Sequence, residues 1–253
     1  MVNIQKAAVI GCGFVGSTIA YTLMQIGLFS EMVLLDANKA KAEGEAMDIS
    51  HGLPFTHAMD IYAGEYEDIA DASVVIITAG ANQKPGETRL DLVQKNAAIM
   101  RSIIKEIKRV NCEGILLIVS NPVDILTEVA LRESGFPKER VIGSGTVLDT
   151  ARLKYIISEK LDVDSRNVHA FIVGEHGDSE LAAWSCANIY GIKLQDFAKM
   201  RGYEHFAQDM EEVYKGVRDS AYEIIERKGA TYYGIGMAAE KIVEAIVRNS
   251  HTV

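Results

Sequence analysis

Four segments of the chain set arginine, histidine and carboxylate side chains in stretches punctuated by glycine. They are Gly80-Ala81-Asn82-Gln83-Lys84-Pro85-Gly86-Glu87-Thr88-Arg89, Ser120-Asn121-Pro122-Val123-Asp124, Gly143-Ser144-Gly145-Thr146-Val147-Leu148-Asp149-Thr150-Ala151-Arg152 and Gly174-Glu175-His176-Gly177-Asp178. Histidine gives and takes a proton near neutral pH, and a neighbouring carboxylate fixes its tautomer and favours its charged form. A guanidinium grips a planar carboxylate through two parallel hydrogen bonds, which lysine cannot imitate. Taken singly, each segment is weak evidence, because a lone histidine or arginine is more often a structural or surface residue.

A fifth segment is more specific. The apolar run Ala7–Ile10 leads into Gly11-Cys12-Gly13-Phe14-Val15-Gly16 and then a helical pattern, and Asp36 ends the next apolar run twenty residues after Gly16. Each part has a mechanical job in a dinucleotide site. Gly11 permits the tight turn, Gly13 lets backbone amides approach a pyrophosphate, and Gly16 lets helix and strand pack closely with the helix N-terminus toward the phosphates. A carboxylate at Asp36 accepts from ribose hydroxyls and repels a 2′-phosphate, so NAD is expected rather than NADP.

The elements that must hold these residues follow from the hydrophobic pattern. Short apolar runs at 7–10, 32–35, 73–78 and 114–119 alternate with longer helical stretches. Fully apolar strands separated by helices predict a parallel sheet covered on both faces. The longest helix is expected at about 88–110, with Leu90, Val93, Ala97, Met100, Ile103, Ile104 and Ile107 forming its buried face. After about residue 145 the texture changes to one strand-like run, Val168–Asp178, and helices near 209–228 and 234–248. The expected fold is α/β, a doubly wound parallel sheet of the Rossmann type over residues 1–143. A mixed α+β substrate or catalytic domain over 144–253 follows without a flexible linker.

Composition narrows the field. The 253 residues are 48% hydrophobic and 24% charged, ordinary values that exclude collagen-like, disordered and disulfide-scaffold classes. With 35 acidic against 26 basic side chains, nucleic acid and anionic membrane are poor default partners, and a small anionic substrate needs local arginines. Cys12, Cys112 and Cys186 have no zinc or redox spacing and are expected to be buried thiols in a reducing compartment, with no metal site. The charge-free stretch from Ala7 to Ser30 invites a membrane reading, but its four glycines and its polar side chains break it. A soluble, cytoplasmic protein is expected by elimination.

Together, and in this order behind the glycine fingerprint, the segments closely resemble the bacterial L-lactate dehydrogenases of the lactate/malate dehydrogenase superfamily, from about residue 5 to 249. The resemblance implies reversible hydride transfer between NADH and a 2-oxo acid, pyruvate becoming (S)-lactate in fermentative metabolism. It makes His176 the proton donor to the carbonyl oxygen, Asp149 the carboxylate that orients the imidazole, and Arg152 the clamp on the substrate carboxylate. Arg89, on a segment that closes over the substrate in the family, polarises the carbonyl. Asn121, Asp124 and Thr231, the last in Lys228-Gly229-Ala230-Thr231-Tyr232-Tyr233, sit where the family places further substrate contacts. Gln83 faces the variable end of the substrate, where malate enzymes carry an arginine; a neutral glutamine leaves oxaloacetate's second charge unpaired. The cofactor set is Gly11, Gly13, Val15, Gly16, Asp36, Lys41, Tyr66, Gly80, Ala81, Ser102, Asn121 and Ser144.

Many bacterial members are homotetramers activated allosterically by fructose 1,6-bisphosphate, bound by an arginine and a histidine. Here His169 matches, while Lys154 stands in the arginine's place, keeping the charge and losing the fork. Family members also continue for several tens of residues past the helix near 234–248, whereas this chain stops at Asn249-Ser250-His251-Thr252-Val253. Two further readings stay open beside an active lactate dehydrogenase. One is a catalytically silent NAD-binding fragment, and the other is a malate dehydrogenase-like 2-hydroxy acid dehydrogenase.

Overall fold

The computed structural model describes residues 1–81 and 88–252, without the side chain of Arg89. Gln83 therefore lies outside the described residues, as does the guanidinium of Arg89. Contacts gather the chain into two units, residues 1–144 with 232–252, and residues 145–231.

The first unit is built on six parallel strands: β1 (Asn3–Ile10), β2 (Glu31–Leu35), β3 (Asp60–Ala63), β4 (Ala72–Ile77), β5 (Ile115–Ile118) and β6 (Val141–Gly143). Their order is β3-β2-β1-β4-β5-β6, the doubly wound arrangement. The crossovers include α1 (Phe14–Ile26), α2 (Lys39–Ser50), α3 (Arg89–Arg109) and α4 (Val123–Ser134). Strand side chains alternate in direction, and both directions are buried. Ala7, Val9, Met32, Leu34, Val74 and Ile76 meet Ile19, Leu23 and Met24 of α1 and Ala42, Ala46 and Ile49 of α2. Ala8, Ile10, Val33, Leu35, Val75 and Ile77 face Met100, Ile104 and Ile107 of α3 and Leu126 and Ala130 of α4. This is why the strands read as unbroken apolar runs in the sequence. Strands β3 and β6, with four and three residues, are too short to have shown the same signal.

In this order the chain winds one way from β1 and the other way from β4, so the loops at their carboxyl ends diverge and leave a crevice for a ligand. Both the glycine turn after β1 and Ala79 to Ala81 after β4 lie there.

The second unit comprises α5 (Val147–Leu161), β7 (Val168–His169), β8 (Ile172–Val173), β9 (Leu181–Ala182), β10 (Asn188–Ile189), β11 (Ile192–Lys193), α6 (Leu194–Met200) and α7 (Phe206–Lys228). Its strands form two small antiparallel sheets, β11-β10-β7 and β8-β9. Leu153, Ile157 and Leu161 of α5, Val168, Ile172 and Ile189 of the strands, and Met210, Val213 and Val217 of α7 share one core. The strand-like run expected over Val168–Asp178 is thus two short strands followed by a loop that begins at Gly174, whose φ of 99° suits glycine.

The final helix, α8 (Tyr233–Arg248), packs on α1 of the first unit. A Cβ at Gly236 would stand 2.6 Å from Thr18 Cγ2, so the helices are close enough to require glycine there, and Ala239 and Val243 complete the core on that face.

Three expectations are corrected. The longest helix is α7, at 23 residues against 21 for α3, because its pattern extends three residues ahead of the expected start at 209. Leu90 is exposed and does not join the buried face of α3, since it lies in the first turn of the helix, ahead of the residues that reach the core. Cys186 is also exposed: its short turn directs the thiol to the carbonyl of Ala183 rather than into the core that takes Cys12 and Cys112.

Candidate active site

In the second unit, two threonines fasten the start of α5 to β8. Thr146 Oγ1 donates to the Ile172 carbonyl at 2.7 Å, and Thr150 Oγ1 accepts from the Ile172 amide at 2.9 Å. That anchoring fixes Asp149, in the first turn of α5, against the loop between β8 and β9 that carries His176. Asp149 Oδ2 lies 2.5 Å from His176 Nδ1, and Asp149 Oδ1 accepts from Arg152 Nη1 at 2.9 Å. Asp149 is almost wholly buried, its side chain 3% exposed, while the imidazole is 27% exposed. One carboxylate therefore holds a histidine and an arginine at once. The arginine comes from the same helix three residues on and the histidine from a separate loop.

The electrostatics follow from this geometry. Asp149's hydrogen bond raises the affinity of His176 for its proton above the ordinary histidine value, against the opposing effect of burial. A group absent from the expected set joins them: Glu180, buried four residues after His176. Burial, reinforced by the charge of Asp149, pushes its carboxyl up to about 7. The only sign in the sequence was an acid following the glycine-flanked histidine and leading into the apolar run Leu181–Trp184.

In the first unit, the glycine turn is locked from two sides. Thr78 Oγ1 donates to the Gly11 carbonyl at 2.6 Å, and Asp36 Oδ2 accepts from the Cys12 amide at 2.7 Å. The other oxygen of Asp36 accepts from the Asn38 amide at 2.9 Å. Each carboxylate oxygen has a second lone pair, so Asp36 can brace the turn and still accept from a ribose. A Cβ at Gly11 would lie 2.5 Å from the Ala79 nitrogen and one at Gly16 1.8 Å from the Gly11 carbonyl, yet one at Gly13 would meet nothing within 4 Å among the described residues. Packing therefore demands the outer two glycines, whereas the open space at Gly13 lies where a pyrophosphate would approach. No side chain caps α1, which leaves its N-terminal amides to a phosphate. These residues fit a dinucleotide.

A buried asparagine joins two candidate segments of this unit. Asn96 Oδ1 accepts from the Ala81 amide at 2.8 Å, and its Nδ2 donates to the Asn121 carbonyl at 2.9 Å. Gly80, Ala81 and Asn121 are thus drawn together at the carboxyl ends of β4 and β5, and Ser144 follows β6 with its amide on the Ile118 carbonyl. Asn96 had no motif to announce it; its position on the inner face of a long helix was the available hint.

The remaining candidates are placed individually. Val15 and Lys41 lie in the first turns of α1 and α2, and Asp124 in that of α4. Tyr66 is half-buried beside the second core cluster. Ser102, midway along α3, donates its hydroxyl to Ile99 of its own helix. Thr231 follows Gly229, which caps α7. Lys154 on α5 and His169 on β7 are not linked to each other by a hydrogen bond among the described residues.

Comparison with known proteins identifies the family. No helix among the described residues is long and apolar enough to cross a membrane. A curated L-lactate dehydrogenase of Acetivibrio thermocellus is 56% identical over 250 residues, which is 99% of this chain and 79% of that protein. One from Priestia megaterium is 53% identical over 249 residues, 98% of this chain and 78% of its own length. Among solved structures, a lactate dehydrogenase from a Medee basin deep-sea metagenome library superimposes with a TM-score of 0.96 at 53% identity, covering all of this chain and 80% of that one. Residues 5–143 match the lactate/malate dehydrogenase NAD-binding domain and residues 146–253 the alpha/beta C-terminal domain, so the chain belongs to the lactate/malate dehydrogenase family.

Proposed function

We propose that this chain is an NAD-dependent L-lactate dehydrogenase that reversibly reduces pyruvate to (S)-lactate. The observation that carries this reading is the buried Asp149, which binds His176 and Arg152 with its two oxygens. With Nδ1 held by the carboxylate, Nε2 is the nitrogen assigned to the substrate. When bound, NADH supplies the hydride that reaches the carbonyl carbon. His176 delivers the proton that the carbonyl oxygen needs, and its raised proton affinity extends the charged form to higher pH than in a free imidazole. Lactate oxidation uses the same imidazole in its neutral form. Arg152 keeps one nitrogen on Asp149 and turns the rest of its guanidinium to the substrate carboxylate.

In this reading residues 1–143 bind the cofactor and 144–253 carry the substrate chemistry. Arg89 polarises the carbonyl, Asn121, Asp124 and Thr231 complete the substrate contacts, and neutral Gln83 selects pyruvate's methyl over a second carboxylate. Support for the substrate comes from the L-lactate dehydrogenases to which the chain is similar. The reading extends to a cytoplasmic homotetramer in fermentative glycolysis, with Lys154 and His169 as a site for fructose 1,6-bisphosphate.

Steady-state kcat/KM with NADH, for pyruvate and oxaloacetate, with and without fructose 1,6-bisphosphate, tests the reading. Pyruvate should be strongly preferred, and Gln83→Arg should move the ratio toward oxaloacetate by at least tenfold, equivalent to about 1.4 kcal/mol. NADH oxidation with neither acid would overturn it.

A further inference from the structure

Glu180 precedes β9, at the foot of the loop that carries His176. Its amide donates to the Gly177 carbonyl at 3.2 Å, and its own carbonyl accepts from the hydroxyl of Tyr214 on α7. The backbone is thus pinned, and the buried side chain cannot swing freely to water. A side-chain oxygen of Glu180, one of Asp149 and a ring nitrogen of His176 all lie within 4.8 Å of one another. Asp149 already serves Nδ1 and Arg152, so Glu180 stands in this cluster of titratable groups as a neighbouring charge, close enough to act on both through space.

We infer that Glu180 is a positioning residue for the proposed reaction, a second buried carboxylate whose protonation is coupled to that of His176 beside Asp149, so that it sets the pH range over which the imidazole keeps the proton it must deliver. This rests on the lactate dehydrogenase reading above. The groups facing Glu180 are Asp149 and Arg152 from α5, His176 from the loop and Tyr214 from α7. Arg218 lies behind, with its guanidinium 5.0 Å from the centre of the Tyr214 ring. Two carboxylates this close resist joint ionisation unless a cation stands with them. Arg152 is always charged; His176 is the cation that comes and goes. An ionised Glu180 therefore favours the imidazolium, and a charged imidazole favours ionised Glu180, so the two titrate as a pair. Removing the Glu180 charge lowers the pH at which His176 loses its proton. Pyruvate reduction, which needs the imidazolium, then loses its alkaline range, while lactate oxidation extends to lower pH.

The His176 titration can be followed by NMR in the full chain labelled at histidine, its signal identified by its loss in His176→Asn. The pH profile of pyruvate kcat/KM is recorded alongside. Glu180→Gln and Glu180→Ser should each lower the His176 midpoint, and with it the alkaline limb, by about half a pH unit or more. Glu180→Asp, which restores a carboxylate, should recover most of that shift, a rescue that a purely structural role does not predict. A folded neutral variant whose midpoint and alkaline limb both stay within about 0.2 unit of the unaltered chain would overturn the inference. If the unaltered chain turns over no pyruvate, the lactate reading fails, and the His176 midpoint still decides the coupling.

Discussion

The two units treat an acidic side chain in opposite ways. Asp36, in the first, is held by two backbone amides, those of Cys12 and Asn38. Asp149, in the second, is held by two side chains that carry or can carry positive charge. Backbone amides neither titrate nor change rotamer, so the partners of Asp36 do not change with the protonation of a neighbour. The second is a balance of charges that shifts whenever His176 gains or loses a proton. Binding a cofactor needs the former, and moving a proton needs the latter.

The largest effect should come from breaking the charged arrangement. His176→Gln should lower kcat for pyruvate by about a thousandfold, the contribution of a well-placed general acid, while leaving NADH affinity near its original value. In the unaltered protein, pyruvate reduction should fall as pH rises through the raised His176 titration, and lactate oxidation should fall as pH drops through it. Stability carries the same sign. A histidine with raised folded-state proton affinity stabilises fully below its unfolded pKa, and that contribution is lost as pH rises through the folded value. His176→Gln should therefore flatten the melting temperature across neutral pH. Identical pH profiles in the two reaction directions would deny His176 its role.

The fixed arrangement should break differently. Gly13→Val adds a side chain into the open space beside the turn, where nothing among the described residues lies within 4 Å of its Cβ. NADH affinity should drop about tenfold to a hundredfold, or 1.4 to 2.7 kcal/mol, with little change in melting temperature. Fluorescence titration and calorimetry measure the two quantities. Gly16→Val is the contrast, since its Cβ would collide with the Gly11 carbonyl and the fold itself should suffer. If the two variants lost stability equally, the division between packing and binding glycines would be wrong.

The same difference explains what could be read in advance. Strands covered on both faces write themselves as apolar runs, and a turn packed this closely against strand and helix needs glycines at fixed spacing, so the sheet and the Asp36 site were legible within short windows. The His176, Asp149 and Arg152 arrangement joins a loop histidine to a helical pair that lies 27 and 24 residues earlier in the chain. Local pattern offered the residue types there, and only resemblance to a family supplied the roles. Glu180 and Asn96 act through contacts with no spacing rule, one beside a charge cluster and one between two loop ends. Leu90 keeps the helical period of α3 and is still exposed, because period gives a direction and not the length over which a partner covers it.

A third carboxylate sharpens the comparison, because no hydrogen bond among the described residues holds it. Glu240 of α8 is fully buried, and both side-chain oxygens lack a hydrogen-bond partner among the described residues. The Lys241 ammonium stands 3.8 Å off, beyond hydrogen-bonding reach. Burial accordingly pushes its carboxyl above the ordinary glutamate value. An acid raised in the folded state favours folding at low pH, and stability falls as pH rises past its unfolded value, the reverse of a paired carboxylate. Glu240→Met keeps a similar length without the charge and should stabilise the first unit by about 1–3 kcal/mol near neutral pH, less in acid. Denaturant unfolding at pH 5 and pH 8 reads both terms. A variant no more stable at pH 8 would mean that the carboxylate has found water or a partner, and that burial without a hydrogen bond is not the penalty that Asp36 and Asp149 are each built to avoid.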